Sequence, residues 1–456
     1  MTVRISPRRF TGTVRIPASK SHTIRQLLIA SLADGVSQIQ YPLDSLDARS
    51  CVCACKTFGA EITEYRAVDS ENPNPADEKG EKLVSWKVKG NNGFKKVQPS
   101  ASKLIDVGNS GTTLYLALAA AGLQQQTVEF TGDEQIKKRS AAPLLDALSG
   151  LGVQCESSGG CVPITIKGLW KGGKVSISCP TSQYLSALLI ASPLAPSGTV
   201  TEIEVPLLNE RPYIEMTLSY LRAHGIPFDK SEDFSHFVIP GGSSWKAFSC
   251  SVPGDFSSAA FPAAAAAITG GSVTLLGLDP KDTQGDKFVF EMLKSMGCEV
   301  QWRANDGENG YSLTISRSKT LRGGTFDLNE TPDLLPAAAA IAAFAEGDTA
   351  LVNVEHARIK ETDRIAVMAA ELAKFGVKCT EKPDGLIIHR KGALSPTEKT
   401  PVIDGHGDHR IVMAFAAAAL GGSVPVEITT AESAAVTYPG FLELLGAQPL
   451  NNCQNC

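Results

Sequence analysis

Six times along the chain a helical stretch ends in a bulky residue, a glycine and then a small or apolar residue: CKTFGA, LSGLGV, LRAHGI, LKSMGC, LAKFGV and LELLGA. The glycines, Gly59, Gly152, Gly225, Gly297, Gly376 and Gly446, follow one another at intervals of about 70–93 residues. Each reads as the left-handed residue just past a helix, with a short strand after it. A second element recurs between them. A β-like run passes through a turn rich in Ser, Thr, Asn and Asp into an Ala-rich helix, as in TVRIPASKS, LIDVGNSGT, KVSISCPTSQ, FSCSVPGDFSS, FDLNETPD and VIDGHGDHR. The small polar residues suit helix N-caps, and Pro or Gly marks the bend. A fixed period of this kind means one supersecondary unit repeated. The unit reads strand, turn, buried helix, strand, second helix, glycine, strand. Six copies of about 75 residues span nearly the whole chain.

The runs LPAAAAIAAFA and AFAAAAL are apolar all round, so their helices are expected inside a core rather than on a surface. Three repeats around such helices make one domain and six make two, with a junction expected near Ser243 to Ser249. The N-terminal stretch from Val3 to Ile16 precedes the first repeat and is open to pairing with either domain. The longest interval contains residues of about 66–103, rich in Lys, Glu, Asn, Pro and Gly. This segment is expected to be an exposed hairpin or loop inserted into the second domain.

At 456 residues the chain has room for two or three domains. With 43% hydrophobic and 20% charged residues, it is neither disordered nor a coiled-coil rod. A formal net charge of -5 offers no global basic excess for nucleic acid or an anionic membrane surface. The longest apolar run, Leu334 to Ala345, is shorter than the ~18 residues that cross a bilayer. The start, MTVRISPRRF, lacks the apolar stretch of a secretory signal. A cytoplasmic protein with neither nucleic-acid nor membrane partners, and a monomer, is expected. The 11 cysteines, an odd number, favour reduced thiols. Cys51, Cys53 and Cys55 alternate within a helical pattern, and Cys453 and Cys456 form a CxxC on the polar tail 451–456. Neither suits a zinc site, so no metal is expected.

The turns in front of the Ala-rich helices carry the chemistry. Lys20, Ser21 and Arg25 open the first helix. Asn109, Ser110, Gly111 and Thr112 open the second, and Thr181, Ser182 and Gln183 the third. Asp333 lies in the fifth turn, and Asp408, His409 and Arg410 open the sixth helix. The segment RIKETDRI adds Arg358, Lys360, Glu361, Asp363 and Arg364. A helix N-terminus is already a positive end with free N–H groups. Local structure favours Asp or Glu there, so Lys and Arg at several helix starts point to an anion, phosphate or carboxylate. A single such lysine is ordinarily just solvated; the joint occurrence in repeat-equivalent turns is what carries the reading.

PASKSHTIR, VGNSGTT, TSQYLSALLIASPLA, ERPYIEMTL, VPGDFSSAAF, TPDLLPA, RIKETDRI and GDHRIVMAF, in this order, resemble the 5-enolpyruvylshikimate-3-phosphate synthase family of enolpyruvyl transferases. The resemblance runs from about Phe10 to Gly446. It implies a two-domain, inside-out α/β fold of six βαβαββ units, three per domain around buried helices, closing on ligand. The domains would be residues 1–18 with 247–450, and 19–246. The implied reaction moves the enolpyruvyl group of phosphoenolpyruvate to the 5-hydroxyl of shikimate 3-phosphate and releases phosphate, with no metal or organic cofactor.

By resemblance, shikimate 3-phosphate is bound by Lys20, Ser21, Arg25, Thr181, Ser182, Gln183, Tyr213, Asp333 and Lys360. Phosphoenolpyruvate is bound by Lys20, Gly111, Thr112, Arg364 and Arg410. Asp333 is the implied base, and Glu361 the proton-transfer partner of the methylene carbon. Lys20 is implied to be catalytic, His409 to tune the site or stabilise the intermediate, and Asp47 to pair with a cleft cation. Read from the residues alone, Asp333 is also open to a plain N-cap, Glu361 to an ion pair on its own helix, and Tyr213 to packing. The chain departs from the family pattern at Gln135, Tyr115 and Val436, where cations are expected, and at Glu210 and His356, where serine and asparagine are usual; Lys137, Lys138 and Arg139 follow Gln135 and are open to compensating through a shifted turn. These departures leave a second expectation: a relative that binds a shikimate-3-phosphate-like ligand without using phosphoenolpyruvate, as another lyase or isomerase or as a non-catalytic binding protein.

Overall fold

The computed structural model describes residues 1–95, 103–305, 310–390 and 398–450. Six four-stranded sheets form, and all six share one pattern: a parallel pair, then two antiparallel partners. The strands Gly173–Ser176, Val200–Glu204, His236–Pro240 and Asp229–Lys230 give the order in one of them. The six repeat glycines all have φ between +65° and +106°, and a strand follows each. A side chain is disfavoured in that region, which is why the same residue type recurs there.

Each repeat supplies one inner helix. We label these α1 (Lys20–Leu32), α2 (Gly111–Ala121), α3 (Ser182–Ala191), α4 (Phe256–Thr269), α5 (Leu335–Ala342) and α6 (His409–Gly421). The last three are almost wholly buried and pack on one another. Alanine permits this closeness: at Gly421, closing α6, a Cβ would lie 2.1 Å from Ile268 of α4, so even a methyl group does not fit.

The chain divides into two compact units. One comprises Met1–Ser19, Ser70–Pro75 and the chain from Pro253 on; the other comprises Lys20–Asp69 and Ala76–Val252. Strand pairing explains the junctions. The N-terminal stretch forms two strands, Thr2–Ile5 and Thr11–Arg15, and both join sheets of the first unit, against Val426–Ile428 and Ser272–Leu276. Ser249–Ser251 lies just before α4 but pairs in parallel with Val36–Gln40, so the second unit extends to Val252.

The segment of about 66–103 contributes to a hairpin, Glu61–Ala67 with Lys82–Lys89, but not to the exposed hairpin or loop expected. Lys82–Lys89 is an interior strand between Val36–Gln40 and Glu61–Ala67, with Leu83, Trp86 and Val88 fully buried. Its lysines alternate with apolar residues, so the composition of the stretch hid a period-two pattern. Ser70–Pro75 belongs to the first unit, where Glu71 meets Arg15 at 3.1 Å. The rest of this segment, 96–102, and the tail with Cys453 and Cys456 lie outside the described residues.

Cys51 and Cys55 are buried thiols 3.9 Å apart, and Cys53 is exposed. Among the described residues, no helix is long and apolar enough to cross a membrane. Nor does any group of three or more His, Cys, Asp or Glu among them suit a metal ion.

Candidate active site

In the unit that begins at Lys20, the site residues collect at the starts of α1, α2 and α3. Lys20 Nζ lies 3.1 Å from Asp47. Asp47 stands in the first turn of the helix Leu46–Thr57, whose N-cap is Ser45. One turn into α1, Arg25 is buried and donates to Thr217 Oγ1 at 3.0 Å, Ser186 Oγ at 3.2 Å and the Ser21 carbonyl at 3.2 Å. Burial lowers its pKa, while Tyr220, Tyr213 and Glu210 oppose the shift. Tyr213 itself is half-buried on the helix Arg211–Ala223.

At α2, Ser110 caps the helix by accepting from Thr113 N, and Thr112 is buried. A Cβ at Gly111 would fall 2.9 Å from the Arg139 guanidinium carbon. A guanidinium therefore lies against the α2 N-terminus. Arg139 stands four residues after Gln135, beyond a tight turn over Ile136–Lys138 that Asp133 caps by accepting from Gln135 N and Ile136 N, both at 2.9 Å. Gln135 accepts from the Asn109 amide instead. Lys137 and Lys138 are exposed. Tyr115 is a core residue, edge-on to Tyr184 with centroids 4.9 Å apart. Tyr184 in turn donates to the Ser140 carbonyl at 2.6 Å, beside Arg139.

At α3, Thr181 is the N-cap and Gln183 is half-buried. Ser182 donates to Glu210 through both its N–H, at 3.0 Å, and its hydroxyl, at 2.7 Å. Sequence reasoning did not foresee this contact, nor His22, whose ring lies 2.5 Å from the Tyr220 hydroxyl.

In the other unit the charged residues form one network around the buried Arg364, Asp408 and Arg410, with Asp333 and Glu361 half-buried at its edge. Asp333 sits in the short turn Pro332–Leu334, and its two carboxylate oxygens accept from Arg364 at 2.7 Å and Arg410 at 2.9 Å. The residue is no N-cap: its bonds go to guanidinium groups. Arg364, with no exposed side-chain surface, also donates to Asp408 at 2.8 and 3.2 Å and to Glu361 three residues before it. Glu361 thus has an ion pair with Arg364, although it lies in the bend ahead of the helix Arg364–Lys374 rather than on it. Asp408 caps α6 and accepts from Thr362 at 3.1 Å. Arg410 donates to the Ser257 hydroxyl in α4. Burial alone would raise the Asp333 pKa, but Arg410, Lys360 and Arg364 outweigh it and hold the carboxyl well below the usual range.

His409 is buried next to this network, with Nδ1 3.9 Å from Asp408. His356 is buried too and donates to the Asn329 carbonyl at 3.0 Å. Val436, half-buried at the end of the short helix Ala431–Val436, brings no charge. A member of the cluster with no sequence signal is Asp286, fully buried and pushed up to about 6 by burial first and then by Asp333, against Arg410 and the Ser257 hydroxyl. Its segment, TQGDKF, lies ahead of the helix Phe288–Ser295 rather than in front of an Ala-rich helix.

The chain belongs to the EPSP synthase family: the family profile for EPSP synthase (3-phosphoshikimate 1-carboxyvinyltransferase) matches residues 5–445. The 3-phosphoshikimate 1-carboxyvinyltransferase of Ruminiclostridium cellulolyticum is 42% identical over 445 residues, which is 97% of each chain. That of Acetivibrio thermocellus is 43% identical over 447 residues, covering 98% of this chain and 97% of the relative. Among solved structures, the EPSP synthase from Acinetobacter baumannii superposes with a TM-score of 0.76 at 28% identity, covering 98% of this chain and 97% of that one.

Proposed function

We infer that the chain transfers the enolpyruvyl group of phosphoenolpyruvate to the 5-hydroxyl of shikimate 3-phosphate and releases phosphate, a transferase step of aromatic amino-acid biosynthesis. Full-length identity above 40% to relatives carrying that name supports the activity. The observation that carries the chemistry is the Asp333 carboxylate held between Arg364 and Arg410.

In the addition step the acceptor O–H adds across the C=C bond. A C–O bond forms at the phosphate-bearing carbon, and a proton arrives at the methylene carbon. In the elimination that carbon loses a proton, and the C–O bond to phosphate breaks. Asp333 binds and orients the acceptor hydroxyl. With its pKa depressed, it takes the proton only as the new C–O bond forms. Glu361 and Lys20 serve the proton traffic at the methylene carbon, and His409 tunes the charge of the intermediate.

Lys20, Gly111, Thr112, Arg364 and Arg410 bind phosphoenolpyruvate, and Arg139 joins them because its guanidinium lies at Gly111. Lys20, Ser21, Arg25, Thr181, Ser182, Gln183, Tyr213, Asp333 and Lys360 bind shikimate 3-phosphate. Fixed cations of this kind lower the barrier by stabilising charge that develops on the substrate. A monomer in the cytoplasm, using no metal or organic cofactor and having neither nucleic-acid nor membrane partners, completes the reading. The test is phosphate release on mixing the protein with both substrates. Release that needs both supports the transferase; none, alongside shikimate 3-phosphate binding by calorimetry, refutes it.

A further inference from the structure

The anion-binding end of α3 already holds an anion. One carboxylate oxygen of Glu210 accepts from the Ser182 N–H at 3.0 Å, the Ser182 hydroxyl at 2.7 Å and the Thr181 hydroxyl at 3.4 Å. Glu210 is 3% exposed. It reaches this position from a left-handed backbone, φ 59° and ψ 42°, at the start of the helix Arg211–Ala223. A residue with a Cβ is disfavoured there, so the carboxylate's bonds must offset that strain. A second observation points the same way. The buried Arg25 guanidinium donates to two hydroxyls and a carbonyl, all neutral, and the charge of Glu210 acts on it through space.

We propose that Glu210 is a built-in competitor for the acceptor's anionic group: it takes the Ser182 and Thr181 donors and must leave them when the acceptor's phosphate binds. This rests on the assignment of Thr181 and Ser182 to shikimate 3-phosphate made above. A carboxylate and a phosphate cannot share one set of donors, and at contact distance in a buried site they repel strongly. Glu210 therefore sets acceptor affinity. Its negative charge acts on Arg25, and the substrate's charge takes over that part on binding.

The test is calorimetric titration of the full chain, wild type, Glu210→Gln and Glu210→Ala, with shikimate 3-phosphate and with unphosphorylated shikimate. Gln keeps the shape and one acceptor but removes the charge; Ala removes both. Shikimate 3-phosphate should bind at least ~10-fold more tightly to both variants, with shikimate changed by less than ~3-fold. If the Ala variant does not fold, the Gln variant decides alone. Unchanged, weaker or absent binding of shikimate 3-phosphate to Glu210→Gln overturns the proposal. Wild-type turnover with no change in affinity would refute the competitor and leave the transferase reading intact. Tighter binding by Glu210→Gln without turnover would do the reverse.

Discussion

Replacing Arg364 with methionine should expose how the buried network is held. The guanidinium has no solvent-exposed surface and bonds three carboxylates, Asp333, Asp408 and Glu361. Breaking a buried ion pair by removing one partner costs ~3–5 kcal/mol, because the remaining charge is stranded. The lower end applies here, since Asp333 keeps Arg410, and Asp408 keeps Thr362 and the Arg410 N–H. A loss of ~3 kcal/mol lowers Tm by ~6–12 °C for a unit of ~150–250 residues.

The pH dependence is sharper than the size. In the wild type Asp333 and Asp408 are both lowered, so their contribution is present above the ordinary Asp value near ~4 and fades as pH falls through their folded values. Without Arg364, burial dominates at Asp408 and pushes it upward, while Asp333 keeps Arg410 and Lys360. The ionised form of Asp408 then destabilises the fold at neutral pH, and acid relieves this. The deficit of Arg364→Met relative to wild type, measured by urea unfolding followed by circular dichroism, should shrink steadily from pH 8 to pH 5. A deficit under ~1 kcal/mol at pH 7.5, or one that does not vary with pH, would refute the reasoning.

Asp286 has the opposite sign. Its carboxyl is pushed up to about 6, so it favours the fold while protonated, and that stability is lost as pH rises through 6. Asp286→Asn should therefore be more stable than wild type by ~1–3 kcal/mol at pH 8, with the gain gone near pH 4; urea midpoints across that range check it. Gly111→Ala should push the Arg139 guanidinium off the α2 N-terminus, since the added carbon would lie 2.9 Å from it. Steady-state kinetics should show kcat/KM for phosphoenolpyruvate falling ~10–100-fold, with KM for shikimate 3-phosphate changed less than ~3-fold; equal effects on both substrates would sink the assignment.

The repeats were legible because a helix end demanding positive φ selects glycine each time, and buried helices at close approach select alanine. Lys82–Lys89 was not, because its lysines match loop composition while only its alternation marks a strand. The charged turns mark most of the candidate site, since Lys and Arg at a helix start contradict local preference. Which of Lys137, Lys138 and Arg139 comes to the α2 N-terminus was open in the sequence, because the path of the Asp133-capped turn is a backbone property that spacing does not report. Asp286 and the Glu210 contact left no mark of their own: a carboxylate's role depends on what the fold brings beside it, Thr181 and Ser182 from the same repeat for Glu210, and Asp333 and Arg410 from later repeats for Asp286.

The pairing of Thr11–Arg15 with Ser272–Leu276 has a consequence for biogenesis. The strand leaves the ribosome early, but its partner is made only after the whole of Lys20–Val252. At ~5–20 residues per second, that wait lasts about 12–50 s. During it the nascent chain carries an unmatched edge, open to chaperones or to a neighbouring copy. A circular permutant that starts at Lys20 and carries the original first nineteen residues after Leu450 would shorten the exposure.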